Sequence, residues 1–187
     1  MRIIAGRHRG LKLAEPGKGD PAAHLRPTAD RVREALFSML TAGRLGDRVR
    51  DAVVLDLFAG TGALGLEALS RGAKAAVFVE RGRVALGLLR DNLSRAREVA
   101  EVIVADATRL PARRGAAASL VFLDPPYGQG LGAAALASAL AGGWIAPGAV
   151  VVWEEGAEVA VPEGFVLVER RRYGAAVVTV LLHEGGG

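Results

Sequence analysis

A chain of 187 residues, half of them hydrophobic, with 24 Lys and Arg against 20 Asp and Glu, has the length of one domain with a sizeable core. It contains no cysteine, which excludes disulfides, thiolate metal sites and cysteine nucleophiles. Its three histidines, His8, His24 and His183, are scattered without metal-ligand spacing, so no metal is expected.

In chain order, Arg2 to Leu13 reads as a β-hairpin turning near Gly6 to Gly10, with Arg7, His8 and Arg9 at its tip. Arg2 lies inside a strand-like run rather than ahead of a long apolar core, so a signal peptide is not expected and a cytoplasmic protein is. Pro16 to His24 carries no pattern. Thr28 then reads as the cap of a helix whose apolar face is Val32, Leu36, Met39 and Leu40, leaving Arg31 and Arg33 free to point elsewhere. The first fifty residues hold eleven Lys or Arg against five acids; that surplus of six in a chain of net +4 leaves the remainder at −2. This unevenness predicts an RNA-contacting extension over residues 1–45, with Arg7, Arg9, Arg26, Arg31 and Arg33 as its contacts, ahead of a main domain over 46–184. A solvated basic face is the plainer alternative.

Val53 to Gly65 reads as a buried strand ending in Asp56, a glycine turn and a helix start, with the helix running from Ala63 to Arg71. The spacing Gly60-x-Gly62-x-x-Gly65 suits close approach of backbone to a ligand at a helix N-terminus, and fits dinucleotides as well as adenosyl ligands. Ala75 to Glu80 is an apolar strand ending in an acid placed to bind ribose hydroxyls. Val102 to Asp106 repeats the plan, with Asp106 placed to accept from an adenine amine. Ser119 to Leu123 leads into Asp124-Pro125-Pro126-Tyr127. Tyr127 to Trp153 has no charged residue, but Gly142-Gly143 and Pro147-Gly148 break it into a helix, Leu131 to Ala141, and a buried strand, Ala149 to Trp153, so no membrane span is expected. Phe165 to Arg171 and Ala175 to His183 read as a closing hairpin joined at Tyr173-Gly174. The fold class expected is α/β: a doubly wound, Rossmann-like, seven-stranded, mostly parallel sheet with one antiparallel strand, plus the N-terminal hairpin and helix.

Asp124-Pro125-Pro126-Tyr127 points to methylation of an exocyclic amine. That nitrogen is a poor nucleophile because its lone pair is delocalised into the base. The Asp124 carboxylate and the Pro125 carbonyl offer acceptors for its two N–H bonds, the prolines stiffen the turn, and the Tyr127 ring offers a face for a flipped-out base. Asp56, Glu80, Asp106 and Asp124 end four strands on one sheet edge, where open α/β folds bind ligands. Each alone serves equally well as a helix cap. Together, with no Lys in the glycine loop and no second phosphate-binding half, they favour a cationic sulfonium nucleoside, S-adenosylmethionine, over a phosphate-rich ligand.

These motifs resemble those of class I S-adenosylmethionine-dependent methyltransferases acting on exocyclic amines. Met1 to Leu13 and Leu25-Arg26-Pro27-Thr28-Ala29-Asp30-Arg31-Val32-Arg33-Glu34-Ala35-Leu36-Phe37 are similar to the RsmD-type 16S ribosomal RNA guanine-N2 methyltransferases, a likeness running to about His183 and ending with Arg172-Tyr173-Gly174. Ala5-Gly6 departs from the family's usual second glycine. The resemblance implies that Glu80 binds ribose, Asp106 contacts adenine, Asp124 with Pro125 holds the guanine amine and Tyr127 stacks, Pro126 completing the catalytic turn. Asp56, Phe58, Gly60, Gly62 and Asp124 join Glu80 and Asp106 in the cofactor set. It implies 16S ribosomal RNA or the small ribosomal subunit as partner, and S-adenosylhomocysteine as product. The competing expectations are a DNA adenine-N6 or cytosine-N4 methyltransferase, and a non-catalytic RNA-binding assembly factor.

Overall fold

The computed structural model describes residues 1–17 and 30–185. Four runs rich in β-branched and apolar residues form parallel strands in the middle of the chain: β1 (Val53–Asp56), β2 (Ala75–Glu80), β3 (Glu101–Val104) and β4 (Ala118–Leu123). They are followed by β5 (Ile145–Glu155), β6 (Phe165–Tyr173) and β7 (Ala176–His183). The strand order is β3-β2-β1-β4-β5-β7-β6, with β7 antiparallel to both of its neighbours. β7 is therefore the single antiparallel strand of a seven-stranded sheet, as the sequence pattern predicts.

The helices are α1 (Asp30–Ala42), α2 (Ala63–Ser70), α3 (Arg83–Ala96) and α4 (Leu131–Ala141). Because side chains alternate along a strand, β1 and β4 send Val54, Leu120 and Phe122 to one face and Leu55, Val121 and Leu123 to the other. The first face is covered by α1, α2, α3 and the N-terminal hairpin, which contribute Phe37, Leu66, Leu89 and Ile3 to one continuous cluster. The second is covered by α4 through Ala135, Leu136 and Ala139. The order reverses between β1 and β4, so their carboxyl ends, Asp56 and Asp124, border the switch-point crevice. The basic N-terminal stretch is distinct in charge, but its described residues share a core with the main sheet: the Phe37 and Phe122 ring centroids stand 5.7 Å apart.

Several local expectations shift. The hairpin has one bridge, Arg2 to Lys12, flanked by Ile3 and Leu11 backbone pairing, and its turn lies at residues 5–10. Gly6 has φ +82° and a side chain there would overlap the Ser70 carbonyl, so only glycine fits. In α1 the buried positions are Arg33, Leu36, Phe37 and Leu40, while Val32 and Met39 are half-buried; the face is rotated toward Arg33 and Phe37. The Thr28 cap lies outside the described residues. β5 begins at Ile145 rather than Ala149, because Ala118 pairs with Ile145 before the register jumps to Leu120 with Val150. Pro147 and Gly148 occupy that irregular stretch, where a missing N–H costs no ladder bond. Among the described residues no helix is long and apolar enough to cross a membrane.

Candidate active site

A cleft of about 490 Å³ opens at the carboxyl edge of the sheet and brings together Asp56, Glu80, Asp106 and Asp124, the four strand-end acids. The glycine loop forms its floor. Leu57 N–H donates to the Phe122 carbonyl at 3.0 Å and Ala59 N–H to that of Val79 at 3.0 Å, so β4 and β2 hold the loop from either side. Asp56 is almost fully buried and accepts one hydrogen bond from the Gly65 N–H at 3.2 Å. Burial pushes its carboxyl up to about 7, helped by the nearby Glu80 charge and opposed by the Gly65 N–H.

Glu80 ties the loop together. One oxygen accepts from Gly60 N–H at 2.9 Å and the other from Arg81 and Gly82 N–H at 2.8 and 2.6 Å. Asp106 lies two residues beyond the end of β3 and caps a 3-10 turn over residues 107–109. One oxygen takes the Thr108 N–H and hydroxyl at 2.9 and 2.7 Å, and the other meets Arg81 at 2.6 Å. The Thr108 backbone N–H, then its hydroxyl, and more weakly Arg81 and Arg109 hold its carboxyl below the usual range. Both oxygens are therefore engaged, and Arg81 stands where the sequence offers adenine its acceptor.

The turn Asp124 to Tyr127 is built in the opposite sense. Asp124 follows β4 with its carboxyl raised well above the ordinary range, first by burial, then by the charges of Glu154, Asp56 and Glu155. Tyr127 lines the cleft with its hydroxyl donating to Glu154 at 2.6 Å and its ring against Gly156, where a Cβ would come within 3.1 Å. Glu155 accepts from Gly128 and Gly156 N–H, both at 3.0 Å. Glu154 and Glu155 end β5 and were legible by the same strand-end rule that picks out the other acids. Pro125 is buried and Pro126 exposed, both on the cleft wall with Phe58 and Gly60.

Gly62 does not line the cleft. It has φ +80°, and a side chain there would come within 2.5 Å of Leu89 on α3, so its role is packing beneath the loop. Gly65 likewise lets α2 close on the Phe78 ring. The wall opposite the catalytic turn includes Glu15 and Pro16 from the end of the hairpin, which carry no sequence signal for this role.

The basic residues divide. Arg9 and Arg31 are exposed. Arg7 is exposed but pairs with Glu98, and the hairpin tip is bound to Ser70 at the end of α2, about 12 Å of helix away from the cleft. Arg33 corrects the sequence reading: it is fully buried, donating to Asp30 at 2.9 Å and to the Arg2 carbonyl, with Glu67 at 3.7 Å, so it cannot reach a nucleic acid. The helical turn that carries Phe37 inward carries Arg33 with it, because the two lie four residues apart on one face. Arg26 lies outside the described residues. Among the described residues no cluster of three His, Asp or Glu is arranged to hold a metal, and His183 is buried against the Ala146 carbonyl and the Phe165 ring.

The donor set fits a nucleoside carrying positive charge. Burial raises both Asp56 and Asp124, Glu80 adds to the first and Glu154, Asp56 and Glu155 add to the second, and a cation in the cleft relieves that repulsion, whereas a pyrophosphate adds to it. The cleft's volume suits a ligand of nucleoside size with an amino-acid arm.

The family model described as conserved hypothetical protein 95 matches residues 1–182. The chain is 39% identical over 163 residues to ribosomal RNA small subunit methyltransferase D of Escherichia coli K12, covering 87% of this chain and 78% of that protein. It is 35% identical over 192 residues to the Haemophilus influenzae protein of the same name, covering 98% and 93%. A solved Escherichia coli structure assigned provisionally as a methyltransferase superposes with a TM-score of 0.84 at 37% identity, covering 100% of this chain and 99% of that one.

Proposed function

The chain belongs to the conserved hypothetical protein 95 family, the RsmD-type methyltransferases, and from that premise we propose that it methylates the exocyclic N2 of a guanine in a loop of 16S ribosomal RNA. The donor in this reading is S-adenosylmethionine and the product S-adenosylhomocysteine. What carries the reading is the meeting, in one cleft, of four strand-end carboxylates with the rigid turn Asp124 to Tyr127, in a chain whose relatives are named ribosomal RNA small subunit methyltransferases.

When bound, the sulfonium supplies an electrophilic methyl group, and the protein's task is to hold the amine in line with it. Glu80, at the end of β2, serves the ribose, while the Gly60 and Phe58 loop lies along the cofactor's path. Asp106 serves the adenine, with Arg81 giving up one of its oxygens. Asp124 and the Pro125 carbonyl accept the two N–H bonds of the guanine amine. This favours a pyramidal nitrogen whose lone pair is free to attack, and the proton leaves after charge has developed. Tyr127 stacks on the base, and its anchoring by Glu154 and Gly156 means little side-chain freedom is lost when it does. Unstacking a base costs a few kcal/mol in a duplex and less in a loop, which favours a single-stranded target. In this reading Arg9 and Arg31, exposed on the extension, meet phosphates.

The test is incubation with labelled S-adenosylmethionine and small ribosomal subunits lacking the modification, followed by nucleoside mass spectrometry. N2-methylguanosine at one loop position is expected. Methylated adenine or cytosine overturns the target, and label on naked DNA alone overturns the RNA assignment.

A further inference from the structure

Besides Glu98 at its tip, three polar side chains buried on helices fasten the N-terminal hairpin to the sheet domain: Ser70 and Glu67 on α2 and Asn92 on α3. Ser70 holds the tip and Glu67 the first strand, accepting from Ile4 and Ala5 N–H at 2.8 and 3.1 Å. Asn92 differs because what it joins belongs to the cleft. Its carbonyl oxygen accepts from Ala14 N–H at 2.6 Å, and its amide donates to the Ala14 carbonyl at 3.2 Å and to the Thr61 carbonyl at 2.9 Å. Thr61 belongs to the glycine loop, and Glu15 and Pro16, immediately after Ala14, form the wall facing it. One fully buried amide thus clasps the floor of the cleft to its N-terminal wall.

A buried Asn is costly unless its donors and acceptor are met, and here all of them serve this single junction. Apolar packing of Ile3 and Leu13 holds the hairpin against the helices, and the Met1 ammonium pairs with Glu15 within the wall, but neither contact reaches the glycine loop as Asn92 does. We infer that Asn92 is a positioning residue for cofactor binding, fixing Glu15 and Pro16 against the glycine loop so that the N-terminal segment closes one side of the cofactor cleft. The inference rests on the cofactor reading above and adds to it a residue that touches neither cofactor nor base.

The experiment compares the full-length protein with Asn92→Ala and Asn92→Asp. The Asp variant keeps an acceptor for Ala14 N–H and loses both donations, so it remains informative if Asn92→Ala does not fold. S-Adenosylhomocysteine binding is read by calorimetry, the Ala14 amide by hydrogen exchange, and the cofactor KM separately from kcat. The wild-type protein is expected to gain protection at Ala14 on binding. The variants should bind the ligand about tenfold more weakly, lose that protection, and keep kcat within about twofold at saturating cofactor. Ser70→Ala, which loosens the tip at the far edge, should leave the cofactor KM unchanged. Unchanged affinity in both Asn92 variants overturns the inference while leaving the cofactor reading intact. So does a fall in kcat and thermal stability with no change in cofactor KM. A wild-type protein that binds no S-adenosylhomocysteine overturns the cofactor reading and this inference with it.

Discussion

Glu67 and Asp56 are both carboxylates with almost no exposed surface, yet their surroundings are opposite. Glu67, on α2, is met by the guanidinium of Arg71 at 2.7 Å, by Arg33 at 3.7 Å and by two backbone N–H groups from the hairpin. Asp56 receives one N–H and sits among Glu80 and Asp124, while the cations on the cleft wall, Arg81 and the Met1 ammonium, are paired with Asp106 and Glu15. The first arrangement is a joint, in which every charge has an internal partner and the extension is held in register. The second is short of positive charge, which is what the proposed sulfonium cofactor would supply. Equal burial therefore says little about role; partner count and sign say much.

Breaking the second region at its reacting end has the largest expected effect. Asp124→Ala should lower kcat by roughly 10² to 10⁴-fold while the protein still binds S-adenosylhomocysteine, since the lost group orients the amine. Unchanged turnover removes Asp124 from the reaction. Breaking the joint acts on stability instead. Glu67→Ala leaves Arg71 and the Ile4 and Ala5 N–H groups without their acceptor and takes one of two carboxylates from the buried Arg33, and should destabilise the fold by about 3–5 kcal/mol in denaturant titration. A loss below about 1 kcal/mol would mean the Asp30 and Arg2 contacts suffice.

A pH titration separates the two regions more finely. Asp56 has its folded value raised from 3.8 to about 7, so between those values the folded state keeps a proton that the unfolded chain has lost. Stability should fall as pH rises through that window and level off above it, with a slope of at most about 1.4 kcal/mol per pH unit from this group. Asp56→Asn should make that part of the profile shallower, the raised Asp124 carboxyl keeping its share, measured by thermal unfolding from pH 4 to 8, and an identical profile in the variant counts against the assignment. The smallest effect is expected at the hairpin tip. Arg7→Ala with Arg9→Ala should weaken RNA binding a few-fold and reduce the salt slope by about one, because Arg7 is already paired with Glu98. An unaltered slope would assign the tip to structure alone.

Much of the site was legible because its signals are local. Asp124 to Tyr127 is four consecutive residues, and each strand-end acid follows directly on an apolar run whose period marks the strand. Gly60 and Gly62 stand two residues apart in a loop of obvious type, but which of them faces a ligand depends on Leu89 of α3, whose place beside the loop no spacing reveals. Arg33 shows the same boundary from another side. Read along its helix it is one more surface cation, and only the docking of α1 against Glu67 makes it internal. Glu154 and Glu155 were within reach of the strand-end rule, yet their role as anchors of the catalytic turn needed the register of β4 against β5.

By itself the sequence determined the order of strands and helices, the single antiparallel strand, the turn Asp124 to Tyr127 and the edge on which the acids gather. These follow from periodicity, turn chemistry and the handedness of crossovers, all properties of short segments. The tertiary structure alone decided which charges are neutralised internally, which glycines pack rather than bind, and that the N-terminal hairpin ends as a wall of the cleft, clasped there by Asn92. Coulombic balance and close packing depend on distances between residues remote in the chain, and only the folded arrangement sets those distances.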